Sequence, residues 1–316
     1  MSEIYEAAIP LLAALLLVWI TWRAWRKKHP LLKWAGTVAA AVLTAAATAA
    51  SALALLGFAK LGARSAPQVS VQVAGTTDQI ERGREISDGF CSGCHSQTGT
   101  LTGGRDLGHD IPLPIGSFVA TNLTPAGALA RWSDGDIFRA IRNGVGADGR
   151  WLIIMSYTNA GKLSDWDTLA VIAYLRSLPP AGSDTGRSPD RLSLLGLLML
   201  GAGQLPAGKP IIRGAVSSPP RGPTREFGEY ILSYQDCREC HGPRLTGGTP
   251  GQLPPLGPDL GIVKGWSFDQ FQATMRSGID PNGHQLAETM PWQPIGRMAD
   301  DELRAIYAYL INLPSE

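Results

Sequence analysis

Phe90-Cys91-Ser92-Gly93-Cys94-His95 and Cys237-Arg238-Glu239-Cys240-His241 decide how this chain is read. They contain its only four cysteines, paired two residues apart, with a histidine directly after each pair. Two thiols on one helical turn can form thioethers with the two vinyl groups of a haem, and the following imidazole then turns towards the iron. A disulfide or a zinc site competes, because two CxxC pairs could supply four thiolates. Zinc would require both halves of the chain to meet at one metal, and it leaves both histidines unexplained. The spacing therefore predicts two covalently bound haem c groups, on Cys91, Cys94 and His95 and on Cys237, Cys240 and His241.

Downstream of each motif the chain repeats itself. Trp132-Ser133 set over Trp266-Ser267 aligns Arg142 with Arg276, Gly144 with Gly278 and Gly149 with Gly283 at a constant offset of 134. Ala173-Tyr174-Leu175 and Pro179 match Ala308-Tyr309-Leu310 and Pro314 one residue later. Leu101-Thr102-Gly103-Gly104 echoes Leu245-Thr246-Gly247-Gly248. Two homologous domains are expected at 78–180 and 223–316, each of three helices. The first helix runs into the motif, from Asp78 or Thr224. The second opens on a capping box, Ser133 with Asp136 and Ser267 with Gln270. The third, near Ser164 to Ser177 and Ala299 to Ile311, is read from apolar positions at helical spacing and ends before Pro179 or Pro314.

A six-coordinate iron needs a second axial ligand, and the repeat shows where to look. Met155 and Met290 occupy equivalent places in short loops before the third helix, so each thioether is expected to cover the face opposite its histidine. His109 competes in the first domain; His284, Met275 and Met298 compete in the second. Met275 falls on the apolar side of a helix and reads as core filling. The imidazoles also need an acceptor for their second nitrogen, expected from a loop carbonyl near Pro112 and Pro114 or near Pro254 and Pro255. Trp132, Trp266, Arg142 and Arg276 are read either as haem neighbours or as structural residues.

The first 65 residues differ from the rest. Ala7 to Trp25 carries no charge before Arg23, and Trp34 to Ala59 carries none at all; about 20 apolar residues cross a bilayer core. A hairpin of membrane helices over 7–25 and 34–59 is expected. Arg23, Arg26, Lys27, Lys28 and Lys33 lie between them, which places that loop in the cytoplasm and both termini outside. A cleaved signal peptide would carry its positive charge before the apolar run, where Glu3 and Glu6 stand instead. Trp19, Trp22, Trp25 and Trp34 mark the inner interface. The small residues of the second helix suit close packing on the first or on a partner subunit.

Of 316 residues 44% are hydrophobic and 17% charged, with a net charge of +1, which fits neither disorder nor nucleic-acid binding. Beyond residue 65 the balance is −4, pointing to a basic redox partner. Between the domains, the linker 181–222 contains an apolar run, 192–205, that is too short to span a bilayer. It reads either as a helix packed on its own domains or as a shallow membrane or partner contact. Arg187, Arg191, Lys209 and Arg213 bracket it.

Residues 78–316 resemble tandem class I cytochrome c domains, especially the multi-haem cytochrome subunits of bacterial membrane alcohol and gluconate dehydrogenases. The likeness rests on FCSGCH at 90–95, Asn122-Leu123-Thr124-Pro125, WSDGDIFRAIRNGVGADGR at 132–150, IMSY at 154–157, CRECH at 237–241 and TMPW at 289–292. It implies an all-α fold and histidine and methionine axial ligands, mapping onto His95 with Met155 and His241 with Met290. Ser156 departs from the Met-Pro of the family, there are two haem motifs rather than three, and the hairpin is reminiscent of the di-haem subunit of cbb-type oxidases.

The resulting expectation is a membrane-tethered di-haem cytochrome that relays single electrons on the periplasmic face of a bacterial inner membrane. Integral-membrane subunits and redox proteins would be its partners, in a respiratory, photosynthetic or dehydrogenase complex. The alternative is a di-haem enzyme, peroxidase-like or oxidising sulfur compounds. A redox sensor is disfavoured, because the cytoplasmic part is too small for an output domain.

Overall fold

A computed structural model describes residues 2–184, 190–206, 208–252 and 254–314. Arg187 lies outside them. Helices α1 (Ser2–Trp25) and α2 (Pro30–Lys60) pack side by side, and both are long and apolar enough to cross a membrane. Pro30 opens α2, where its missing N–H costs nothing. Small residues of α2, among them Ala40, Ser51 and Ala54, are buried, whereas Ala46 points outward. Thr21 and Thr44 meet across the helix pair at 3.4 Å. At one end Trp25 and Trp34 are edge to face at 5.3 Å, with Lys33 over Trp25 and Arg26 over Trp22 at 3.9 and 3.8 Å. This cation and indole girdle is what an interface between hydrocarbon and head groups favours.

The first repeat contains α3 (Thr77–Ile86), α4 (Ser92–His95), α5 (Asp134–Asn143), α6 (Ile153–Tyr157) and α7 (Asp165–Ser177). After α8 (Leu194–Gly201) the second repeat supplies α9 (Arg225–Tyr234), α10 (Cys237–His241), α11 (Phe268–Ser277), α12 (Trp292–Ile295) and α13 (Asp300–Leu310). Ser133 and Ser267 each make the full capping box, and Ser164 caps α7. The first helix of the first domain runs into its motif without a gap, whereas that of the second domain is broken before it. In the first domain a π-helical turn, Ser87–Cys91, makes the connection; in the second the break is at Asp236, a non-glycine residue with φ 55°. Each device re-aims the cysteines relative to the helix before them.

First and last helices cross in both domains, α3 on α7 and α9 on α13. A methyl added at Gly83 would overlap the carbonyl oxygen of Ala170, and one at Gly228 that of Ala305. Glycine is thus required for the backbones to approach. A strand pair that the sequence pattern did not suggest, β1 (Gly116–Phe118) antiparallel to β2 (Asp190–Leu192), ties the linker to the first domain.

The domains share one apolar core, running from Ile86, Val171 and Ile172 through Phe227, Ile231 and Tyr234 to Leu303 and Ile306. Inside it lies Arg82, whose side chain is 1% exposed. Its guanidinium donates to Asp167 of α7 at 2.7 Å and to Glu302 of α13 at 2.5 Å. Tyr230 donates its hydroxyl to the same Asp167 at 2.5 Å. The carboxylates hold the Arg82 cation against burial and push its pKa up. Removing one partner of such a cluster strands a buried charge, at a cost of about 3–5 kcal/mol. Arg82→Met should therefore lower the free energy of unfolding, read from the urea midpoint and slope, by an amount of that order. Arg84→Met, which breaks only exposed ion pairs, should leave the midpoint nearly unchanged.

Candidate functional site

In the first domain α4 and the preceding π turn present Cys91, Cys94 and His95 to a cavity of about 390 Å³. Phe118, Ile137, Leu163, Val171 and Leu175 make much of its wall, and Met155 lies on the same wall set as His95. Met155 sits within α6 rather than in a loop, held by one helical turn between Trp151 and Thr158. His95 Nδ1 is 2.8 Å from the carbonyl oxygen of Thr121. A carbonyl only accepts, so Nδ1 carries the proton and Nε2 keeps its lone pair. Burial lowers the His95 pKa, which also favours the neutral ring.

The second domain repeats this support. His241 Nδ1 is 2.7 Å from the carbonyl oxygen of Pro258. Both acceptors are loop carbonyls, as expected: Pro258 lies just beyond Pro254 and Pro255, whereas in the first domain Thr121 takes the place of the stretch near Pro112 and Pro114. The reason lies in the Leu-Thr-Gly-Gly echo. Gly103 N–H donates to His95 O and Gly247 N–H to His241 O, while Leu123 N–H donates to Leu101 O and Leu260 N–H to Leu245 O. These ladders draw the acceptor segment beneath the imidazole. Gly257 lies so close that a Cβ there would be 2.6 Å from His241 Nδ1. Met290 is half-buried at the edge of the core, its N–H donating to Ala287 O and its carbonyl accepting from Trp292.

The competing ligands fall elsewhere. His109 and His284 are exposed, and His284 pairs with Asp280 at 3.2 Å. Met275 and Met298 are buried core residues, Met298 against Gly89. Arg142 and Arg276 are structural: Arg142 donates to Gly161 O, Leu163 O and Asp165, and Arg276 to Gly296 O, Met298 O and Asp300. Each ties the end of the second helix to the start of the third. Trp132 lines the first cavity.

Burial pushes the thiols of Cys91 and Cys237 up to about 12 and raises those of Cys94 and Cys240. Zinc binds thiolates, and among the described residues no three His, Cys, Asp or Glu side chains converge to hold a metal ion. An apolar cavity flanked by two neutral thiols, an oriented imidazole and a thioether instead fits a haem.

The two motifs meet across the domain boundary. Phe90 and Tyr234 are edge to face at 5.8 Å, and Gln235 donates to Gly89 O at 3.3 Å. Asp236, one residue before Cys237, reaches the wall of the first cavity and accepts from Asn159 N–H and Nδ2 at 2.7 and 2.6 Å. Asn159 follows α6 and also donates to Glu239, which pairs with Lys209.

Residues 80–179 match the cytochrome c family model, and residues 228–310 match that of cytochrome c oxidase, cbb3-type, subunit III. The chain belongs to the c-type cytochromes, with one such domain in each half. More particularly it is a di-haem cytochrome c, each domain carrying covalently bound haem c. It is 29% identical over 261 residues to a subunit of the nicotinate dehydrogenase of Pseudomonas putida, covering 75% of this chain and 21% of that one. It is 28% identical over 275 residues to the cytochrome c subunit of alcohol dehydrogenase (quinone) of Gluconobacter oxydans, covering 75% and 55%. Against the gluconate 2-dehydrogenase cytochrome c subunit of Pantoea cypripedii identity is 34% over 99 residues, covering 27% and 22%. The chain thus spans from about a fifth to about half the length of these curated relatives.

Burial raises the Asp236 carboxyl to about 6, against the Asn159 hydrogen bonds that lower it. Its folded pKa exceeds its unfolded one, so the native state binds the extra proton. Its contribution to stability is full below about pH 4 and is lost as pH climbs to about 6. Asp236→Asn should abolish this component: the native-minus-variant difference in urea midpoint should fall between pH 4 and 6.5. A difference independent of pH would refute the assignment.

Proposed function

We propose that this protein is a membrane-anchored electron relay whose two haems lie on the outer face of a bacterial inner membrane, as a subunit of a larger redox complex. The observation that carries the reading is the contact between the two CxxCH segments through Phe90, Tyr234 and Gln235. Two attachment sites that touch bring two redox centres within one short electron-transfer step. The cytochrome-subunit names of the alcohol, gluconate and fructose dehydrogenase relatives support the assignment to a complex.

Cys91 with Cys94 and Cys237 with Cys240 are the attachment thiols. His95 with Met155 and His241 with Met290 would hold the two irons, and histidine with methionine ligation would raise their potential. Haem supplies reversible one-electron chemistry when bound. The chain holds Nε2 of each imidazole towards its site through the Thr121 and Pro258 carbonyls, and the apolar wall of the first cavity excludes water. Held by Met155 and Met290 as well as by the histidines, the irons would offer no open position to a substrate, which favours a relay over a peroxidase-like enzyme. The basic loop between α1 and α2 supports the topology with both termini outside.

Met155→Ala and Met290→Ala should each remove the ferric methionine-to-iron absorption of one haem and leave the other. Both signals surviving in either variant would reject that ligand. Cys91→Ala or Cys237→Ala should leave one haem singly attached or missing, read by mass spectrometry of the denatured protein. The native reduced protein should not bind carbon monoxide; rapid binding would favour the enzyme.

A further inference from the structure

The apolar linker run forms α8, and α8 is docked on the anchor. A methyl at Gly57 would overlap the carbonyl of Leu197, and a methyl at Gly201 would overlap the carbonyl of Leu53. The two backbones therefore touch at two points, and the order of the pairs makes α8 antiparallel to α2. Lys60 Nζ closes the end of α8, donating to Leu200 O at 2.8 Å and Gly201 O at 3.2 Å. A charged residue flanking the anchor thus caps a second helix.

Height follows from the helix rise. At about 1.5 Å per residue, Leu53 lies about 28 Å along α2 from Trp34 and Phe58 about 36 Å. The hydrocarbon core is about 30 Å thick. Leu55, Leu56 and Phe58 expose 50%, 54% and 37% of their surface at this level, and α8 beside them exposes 40% of Leu195. Every residue of Leu194–Gly201 is apolar or glycine, so its outer face continues the lipid-facing surface of α2.

The other side of α8 belongs to the first cytochrome domain. Gly196 packs against the carbonyl of Ile115, Ser193 N–H donates to Ile115 O, and β2 of the strand pair leads directly into Ser193. Leu61 at the end of α2 is buried beside Trp151, whose N–H donates to its carbonyl. The connection from membrane to domain is packed on two sides.

We propose that α8 is a membrane-seated helix, inserted shallowly in the outer leaflet on the flank of α2, with phospholipid acyl chains covering Leu195 and its neighbours. It fixes the first haem site at one height and orientation above the bilayer. This rests on the anchor reading of α1 and α2.

The test uses the holoprotein in phosphatidylcholine vesicles whose acyl chains carry a diazirine near the ester. After illumination, peptide mapping should find lipid adducts in 8–25, in 33–60 and in 194–202. A diazirine at the chain terminus should label 194–202 several-fold less. Adducts confined to the two anchor helices would overturn the seating of α8 and keep the anchor. Adducts in none of the three would overturn both.

Discussion

Arg82 is the point on which the domain arrangement turns. Asp167 and Glu302 occupy equivalent positions of the repeat, one on each third helix, and a single guanidinium receives both. The register set by Gly83 and Gly228 puts Phe227 where the second domain would need its own arginine, and Arg82 lies over that ring at 5.7 Å. The duplication is broken at this place, and that asymmetry lets two similar domains share one charge. Desolvating an arginine and two carboxylates is expensive, so such a cluster serves to choose one arrangement more than to add stability.

The arrangement so chosen brings the two attachment segments together. Phe90 and Gln235 approach from opposite domains, and the Asn159 to Asp236 hydrogen bonds run from the end of α6, which carries Met155, to the residue before Cys237. A mechanical link between one site's methionine segment and the other's thiols follows. The strained backbone of Asp236 is held by these bonds, as strain at functional sites generally needs support from its surroundings.

A second set of contacts runs from the α1–α2 hairpin. Leu61, Trp151, α8 and the short strand pair lead from α2 to the segment containing Thr121, the carbonyl that orients His95. The first site is therefore braced against the anchor and the second is braced against the first.

Much of this was legible in the sequence, because thioether attachment demands two cysteines at fixed spacing and duplication leaves a constant offset. The two motifs, the capping serines and the two long apolar helices all follow from local rules of spacing, periodicity and length. The particular imidazole acceptors did not, since main-chain carbonyls leave no side-chain signature; the prolines marked the loop that holds Pro258 but not Thr121. Local pattern also missed the π turn, the left-handed Asp236 and the three-residue strands, which are imposed by neighbours distant in the chain. The structural roles of Arg142 and Arg276, the single arginine between two carboxylates and the docking of α8 on the anchor were decided by tertiary structure alone. Each depends on which groups meet across more than a hundred residues or at the end of another helix, and one-dimensional spacing carries no information about such meetings.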